Sequence, residues 1–391
     1  MTRARLTILM LLLPFCFGAG CQKETRVERQ KRPNTIRESV NWLNSGNDLL
    51  IHVTKTDQQS HYRGYSIWQL DLKRKVGRKL AIPGGVAEDI SPCTKGNCFV
   101  LSYSAVPPGW RENKLWQVFT YPVDIAVYQP GDSLWELGLP GLNRFPQHSP
   151  TLPQVAFVHL PKSGKEADVA QEMEYGIWVV DLRSGAKRKV FPSAQLNVTD
   201  TSLLSSYPYW SPDGKSIALP IITSALGSDS RTTDIFIAAS DASSVKRVTS
   251  FGDVRSFPLI WTPDNQSVLF VRQADTAKAK PSLWSVNIST GKTVELLSLT
   301  RLARKGYFLP SPHGRRVLVA SRSEATEDNG VWIIELASGR SRRVLDQSDA
   351  SLVSWSPDEK RLAVVRYYNE VWIIDAVGNT PPYLAWRIPQ E

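Results

Sequence analysis

The chain is expected to fold as a single all-β propeller of four-stranded antiparallel blades, most simply seven of them. Three observations lead there. A Trp-Ser-Pro-Asp-Gly type motif recurs along most of the 391 residues, at intervals of 45 to 62. Each copy is followed by a short, continuously apolar run. Further on, an apolar–aromatic pair opens an alternating stretch. A repeat of this length holds about four strands, and a ring of such units removes most open sheet edges.

Four copies of the motif are plain: Trp210-Ser211-Pro212-Asp213-Gly214, Trp261-Thr262-Pro263-Asp264, Pro310-Ser311-Pro312-His313-Gly314 and Trp355-Ser356-Pro357-Asp358. Three degenerate copies precede them, anchored at Trp42, Ile90 and His148. In each unit strand A ends at the anchor. Pro presets φ for the A–B turn, and Gly or Asn accepts the positive φ that follows. Strand B is the apolar run, for example Val268 to Val271, and reads as buried on both faces. Strand C carries the second signature: Ile67-Trp68, Leu115-Trp116, Ile177-Trp178, Ile235-Phe236, Leu283-Trp284, Val331-Trp332 and Val371-Trp372. A Gly turn such as Ser184-Gly185 leads into strand D, which is rich in Lys and Arg. Ten of the 13 Trp fall at anchors or strand-C positions, where packing between blades accounts for them.

The N-terminus reads as a targeting segment. Arg3 and Arg5 precede a mostly apolar stretch from Leu6 to Phe17, then Gly18, Ala19, Gly20 and Cys21. A charged region, a short apolar region and small residues make a signal peptide over 1–20. The Cys after small residues resembles a bacterial lipoprotein signal, which implies acylation of Cys21; secretion without a lipid is the alternative. Gln22 follows that Cys, so the resemblance implies an outer-membrane destination facing the periplasm. Residues 21–37 are polar and basic and read as a solvated tether, and 38–391 as the propeller. Removing 1–20 takes away two basic residues and no acidic one, bringing the net charge from +10 to +8. Of the four Cys, Cys93 and Cys98 remain; six residues spanning a hairpin turn, in an oxidising compartment, point to a disulfide.

The repeats, best seen in Trp210 to Lys215 and Trp355 to Lys360, resemble those of TolB-type propellers, the WD-like repeats of periplasmic proteins. The same repeats occur in propeller domains of prolyl-oligopeptidase-like enzymes. The resemblance covers 38–391. It implies the fold, while function must come from a site. TolB proteins carry an α/β domain before a six-bladed propeller; here the first anchor is already Trp42.

Catalytic motifs are not evident. No Gly-x-Ser-x-Gly elbow occurs, and none of the five His lies in a metal-binding spacing. No Gly-rich phosphate loop follows a strand, so no cofactor is expected. No apolar run reaches the roughly 18 residues of a spanning helix. Nucleic acid is an unexpected partner for an exported chain.

Two charge patterns stand out. Basic clusters on strand D, such as Lys187-Arg188-Lys189 and Arg342-Arg343, would discourage edge-to-edge pairing. Arg272, Arg322 and Arg366 follow their anchors by 11, 12 and 11 residues, which places them at the ends of three successive B strands. They are candidates to receive a partner's carboxylates; ion pairs to acids such as Asp275 or Glu324 are the bland alternative. The B–C connections of the early blades add Tyr62 and Arg63 in 54–65, and Trp110 and Arg111 in 104–113. Exposed Trp and Arg are typical binding anchors; the alternative is that Trp110, after Pro107-Pro108-Gly109, folds down onto its own blade. The expected function is a monomeric, lipid-anchored, non-enzymatic module that binds a protein or peptide at the envelope. The competing reading is a lyase or hydrolase acting at the channel mouth.

Overall fold

A computed structural model describes residues 34–43, 45–56, 62–93, 98–105, 123–131, 133–160, 175–192, 207–223, 232–254, 259–272, 281–298, 306–321, 330–345 and 350–389. Seven four-stranded antiparallel sheets follow one another along the chain, each built from four consecutive strands. The blades span Asn34–Lys79, Gly85–Glu136, Leu142–Pro192, Tyr209–Arg247, Ile260–Ser298, Gly306–Leu345 and Ala350–Arg387. The first strand begins at Asn34, so the inner strand of blade 1 takes in the last four residues of the stretch read as a tether. Strand B is the most buried of each set: Val155, Ala156, Phe157 and Val158 are fully enclosed, as are Leu362 to Val365. Burial on both faces is what its unbroken apolar run demands.

Two sequence expectations in blade 2 are corrected. Its strand C is Asp124–Gln129, paired with Phe99–Ala105, and not the segment around Leu115-Trp116, which lies outside the described residues. The slot taken by Trp elsewhere holds Ala126, opposite Leu101, so the aromatic signature is missing from the true strand. The anchor also moves from Ile90 to Pro92. In every blade the N–H of the first turn residue bonds the carbonyl five residues on: Ser211 to Ser216, Ser356 to Arg361, and here Cys93 to Cys98. Cys93 therefore occupies the place of the turn Ser, and it is disulfide-bonded to Cys98.

The A–B turn owes its shape to its first and third residues. Ser211 Oγ donates to Asp213 Oδ1 at 2.6 Å, and accepts from the Ser216 N–H at 2.9 Å. Thr262 with Asp264, and Ser356 with Asp358, repeat the arrangement at 2.6 Å. The fourth residue has positive φ in Gly214, Asn265, Gly314 and Glu359.

The anchor Trp joins blade to blade. Trp210 donates Nε1–H to Gln147 O, Trp261 to Tyr209 O and Trp355 to Leu309 O, each about one blade back, at 2.9 to 3.0 Å. Trp42 donates to Ser354 O at 3.0 Å, which closes blade 1 onto blade 7. Among the described residues no strand is exchanged across this seam. Arg316 lies over the Trp355 ring and donates to Glu359 O; Arg361 lies over the Trp42 ring and donates to Gly46 O, so the seam repeats the junction before it. The basic residues of strand D also tie blades together. Arg188, Lys246 and Arg342 donate to Ser240 O, Ser289 O and Ala376 O of the following blade.

Candidate functional site

The two ends of the ring differ. At one end the A–B connections are uniform, five residues in six blades and six in blade 2. At the other end lie the B–C and D–A connections, and the B–C set runs from three residues in blade 7 to 18 in blade 2. Trp110, Arg111 and Arg322 fall in such connections, outside the described residues. Tyr62 and Arg63 do not lie in a loop, as expected, but open strand C of blade 1 (Tyr62–Asp71). The ladder of blade 1 continues outward to pair Thr56 with Tyr62, leaving only 57–61 as connection.

Arg272 and Arg366 end their B strands at equivalent places. Both turn onto the strand-C Trp of their own blade, with the guanidinium carbon 4.8 Å from the ring centroids of Trp284 and Trp372. Arg272 also covers Phe251 at 3.7 Å and makes a two-pronged pair with Asp253, at 2.8 and 3.0 Å. The acid comes from the D–A connection before blade 5; Asp275 lies outside the described residues. Arg366 is largely buried beside Glu370. Burial raises the Glu370 carboxyl, but the Trp372 indole N–H, Arg387 and Arg366 outweigh it and hold the group below the usual range.

A further concavity lies in the central channel, where a cavity of about 570 Å³ sits at the level of the anchors. Its walls are residues one and three places before the anchor, which alternation puts on one face of strand A. Asn41, Ser91, Gln147 and Ser354 come from the first of these positions, in blades 1, 2, 3 and 7. Ser39, Asp89 and Tyr207 come from the second. Sequence reasoning missed this set. Its signal was available as every second residue back from the anchor, but the residue types vary and no single repeat announces them.

The charges at this cavity are compensated. Asp89 accepts from Arg144 Nε at 3.0 Å and from the Phe145 N–H at 3.2 Å. Burial lowers His52 to about 4, against the opposing pull of Asp89, so the imidazole is neutral at neutral pH. His159 is wholly enclosed, with Nδ1 2.8 Å from Asn143 Oδ1, while Asn143 donates to Val123 O, and it does not reach the channel mouth. Among the described residues no three His, Cys, Asp or Glu side chains gather as a metal-binding group.

No family model matches the chain, and no curated protein sequence does. Many solved structures share its fold. The propeller domain of the Trilobed protease from Pyrococcus furiosus, described as having an open velcro topology, superposes with a TM-score of 0.57 at 10% identity, covering 92% of this chain and 97% of that one. An oligogalacturonate lyase in complex with manganese gives 0.53 at 12%, covering 91% and 90%. TolB from Acinetobacter baumannii gives 0.42 at 15%, covering 94% and 83%. At such identities the likeness to the first two supports the propeller architecture alone and leaves activity to the residues of this chain.

Proposed function

We propose that the protein is an exported, lipid-anchored propeller that captures a protein or peptide partner without catalysing a reaction. The observation that carries this reading is the lopsided ring. One end carries only short turns, none longer than seven residues, while every longer connection, up to 18 residues, lies at the other. Loops positioned by a rigid scaffold are where binding residues concentrate. The partner-binding end is therefore the B–C end, with Trp110 and Arg111 in its longest connection and Tyr62 and Arg63 at its rim. The Cys93–Cys98 disulfide supports an oxidising compartment. The strand-D Arg and Lys serve blade contacts and are not part of the binding surface.

The test is capture from detergent-solubilised membranes with the acylated full chain, followed by identification of the retained protein. Trp110→Ala with Arg111→Ala should abolish capture and leave the melting temperature unchanged, while Lys73→Ala with Lys79→Ala, in the C–D turn and outer strand of blade 1, should capture as wild type. Retention of capture by the loop variant, with loss in the outer-strand variant, would place the surface on the wrong part of the ring. Cys21→Ala should move the protein to the soluble fraction; continued sedimentation with membranes would remove the lipid anchor from this account.

A further inference from the structure

The channel cavity lies at the end of the ring opposite the proposed partner surface, and its chemistry is of a different kind. The position just before the anchor is Asn41, Ser91, Gln147 and Ser354 in blades 1, 2, 3 and 7, but Tyr209, Ile260 and Leu309 in blades 4, 5 and 6. The polar arc thus spans four neighbouring blades across the seam, and the cavity is drawn to that side. The main-chain carbonyls of Gln147 and Ser354 are occupied by the anchor indoles of the following blades. Their side chains, with those of Ser39 and Asn41, make no hydrogen bond to another described residue. Each is only partly buried, so each offers its donors and acceptors to the channel.

Among the described residues that line the cavity, none offers a free charge. The Asp89 carboxylate is matched by Arg144. An anionic ligand would lose water without gaining a cation, and a cationic one would compete with an established ion pair. Two amides and two hydroxyls, each able to donate and accept, match a ligand whose groups also do both. The carbon edges of Trp42 and Trp355, with Pro92, Pro312 and Pro357, supply the apolar part of the wall. The volume of about 570 Å³ falls within the range of small-ligand sites.

We propose that this cavity is a binding site for an uncharged polyhydroxylated ligand, a short neutral oligosaccharide, held by Asn41, Gln147, Ser39 and Ser354. The site is independent of the partner surface at the B–C end. Calorimetric titration of the full chain with maltotetraose, cellotetraose and tetra-N-acetylchitotetraose tests it, beside tetragalacturonate and tetra-alanine as acidic and peptide probes. At least one neutral oligosaccharide should bind. Gln147→Leu and Asn41→Leu should each weaken it by roughly tenfold or more, since a hydroxyl then loses its partner in an enclosed site. Melting temperatures near wild type would show that the variants fold; Ser354→Ala, the smallest change, serves if they do not. Absence of binding by all three neutral probes at millimolar concentration would overturn the proposal. So would equal or tighter binding of tetragalacturonate or tetra-alanine, or unchanged affinity in folded variants.

Discussion

Glu359 sits at the fourth turn position of blade 7 with φ of 58°, where blades 1, 4, 5 and 6 use Gly or Asn. The left-handed backbone is costly for Glu, and its side chain supplies the compensation. Its carboxylate accepts from the His313 N–H of blade 6 at 2.5 Å and lies 3.4 Å from Arg316 Nη2. Burial raises this carboxyl, but Ser311, His313 and Arg316 together bring it below the usual range, as for Glu370. A depressed carboxylate contributes stability above its unfolded pKa, about 4.3, and that contribution is lost as pH falls through the folded value. Urea midpoints should therefore drop steeply on acidification below about pH 4, and less steeply in Glu359→Gln with Glu370→Gln; identical slopes would refute the assignment. Arg272 poses the opposite question. Lying over the rings of Phe251 and Trp284 and paired with Asp253, it ties blade 5 to the connection from blade 4, and Arg272→Ala should cost about 1–2 kcal/mol, seen as a lowered melting point. A wild-type melting curve would instead mark this guanidinium as spare and available to a partner.

At the scale of the element, the A–B turn carries most of the sequence signal. Its Ser, Pro, Asp and Gly each have a separate physical task, so the motif survives even where the strands around it drift. Strand C is less secure because its aromatic residue is a packing choice. In blade 2 Ala126 takes that slot, and Leu115-Trp116 imitates the pattern inside a long connection. The same blade replaces the Ser–Asp bonds of the turn by the Cys93–Cys98 bridge across one identical main-chain bond. The loop it closes is short. Cys93→Ser with Cys98→Ser should therefore lower stability by less than the roughly 3 kcal/mol of a 15-residue loop, and the serine at position 93 should restore part of the turn bonding. A loss well above that figure in chemical denaturation would mean that the bridge also holds the blade in register.

For the whole molecule, strand order and blade number were legible because each blade is local in sequence. The channel site was not. Asn41, Gln147 and Ser354 share neither residue type nor neighbourhood in the chain, and they meet only because blade 1 comes to rest against blade 7. The seam that brings them together uses an indole N–H to a carbonyl and an Arg over a Trp ring, as the blade 6–7 junction does. Trp68 against Trp386, 5.3 Å between centroids, and the Ile36 N–H to Tyr368 O bond reinforce it.

A ring whose closing seam is built like the blade 6–7 junction has no marked beginning. Strand A of blade 1 starts, and strand D of blade 7 finishes, at the same end of the propeller, where the other blades are linked by connections as short as four residues, 346–349. Joining Pro389 to Asn34 through about five flexible residues and opening the chain within 299–305 should give a permutant that folds to the same seven blades. Its unfolding should remain a single transition near the original temperature. Early loss of one blade in the permutant, followed by a second transition, would reveal that the order of synthesis and not the set of contacts decides where this circle is held shut.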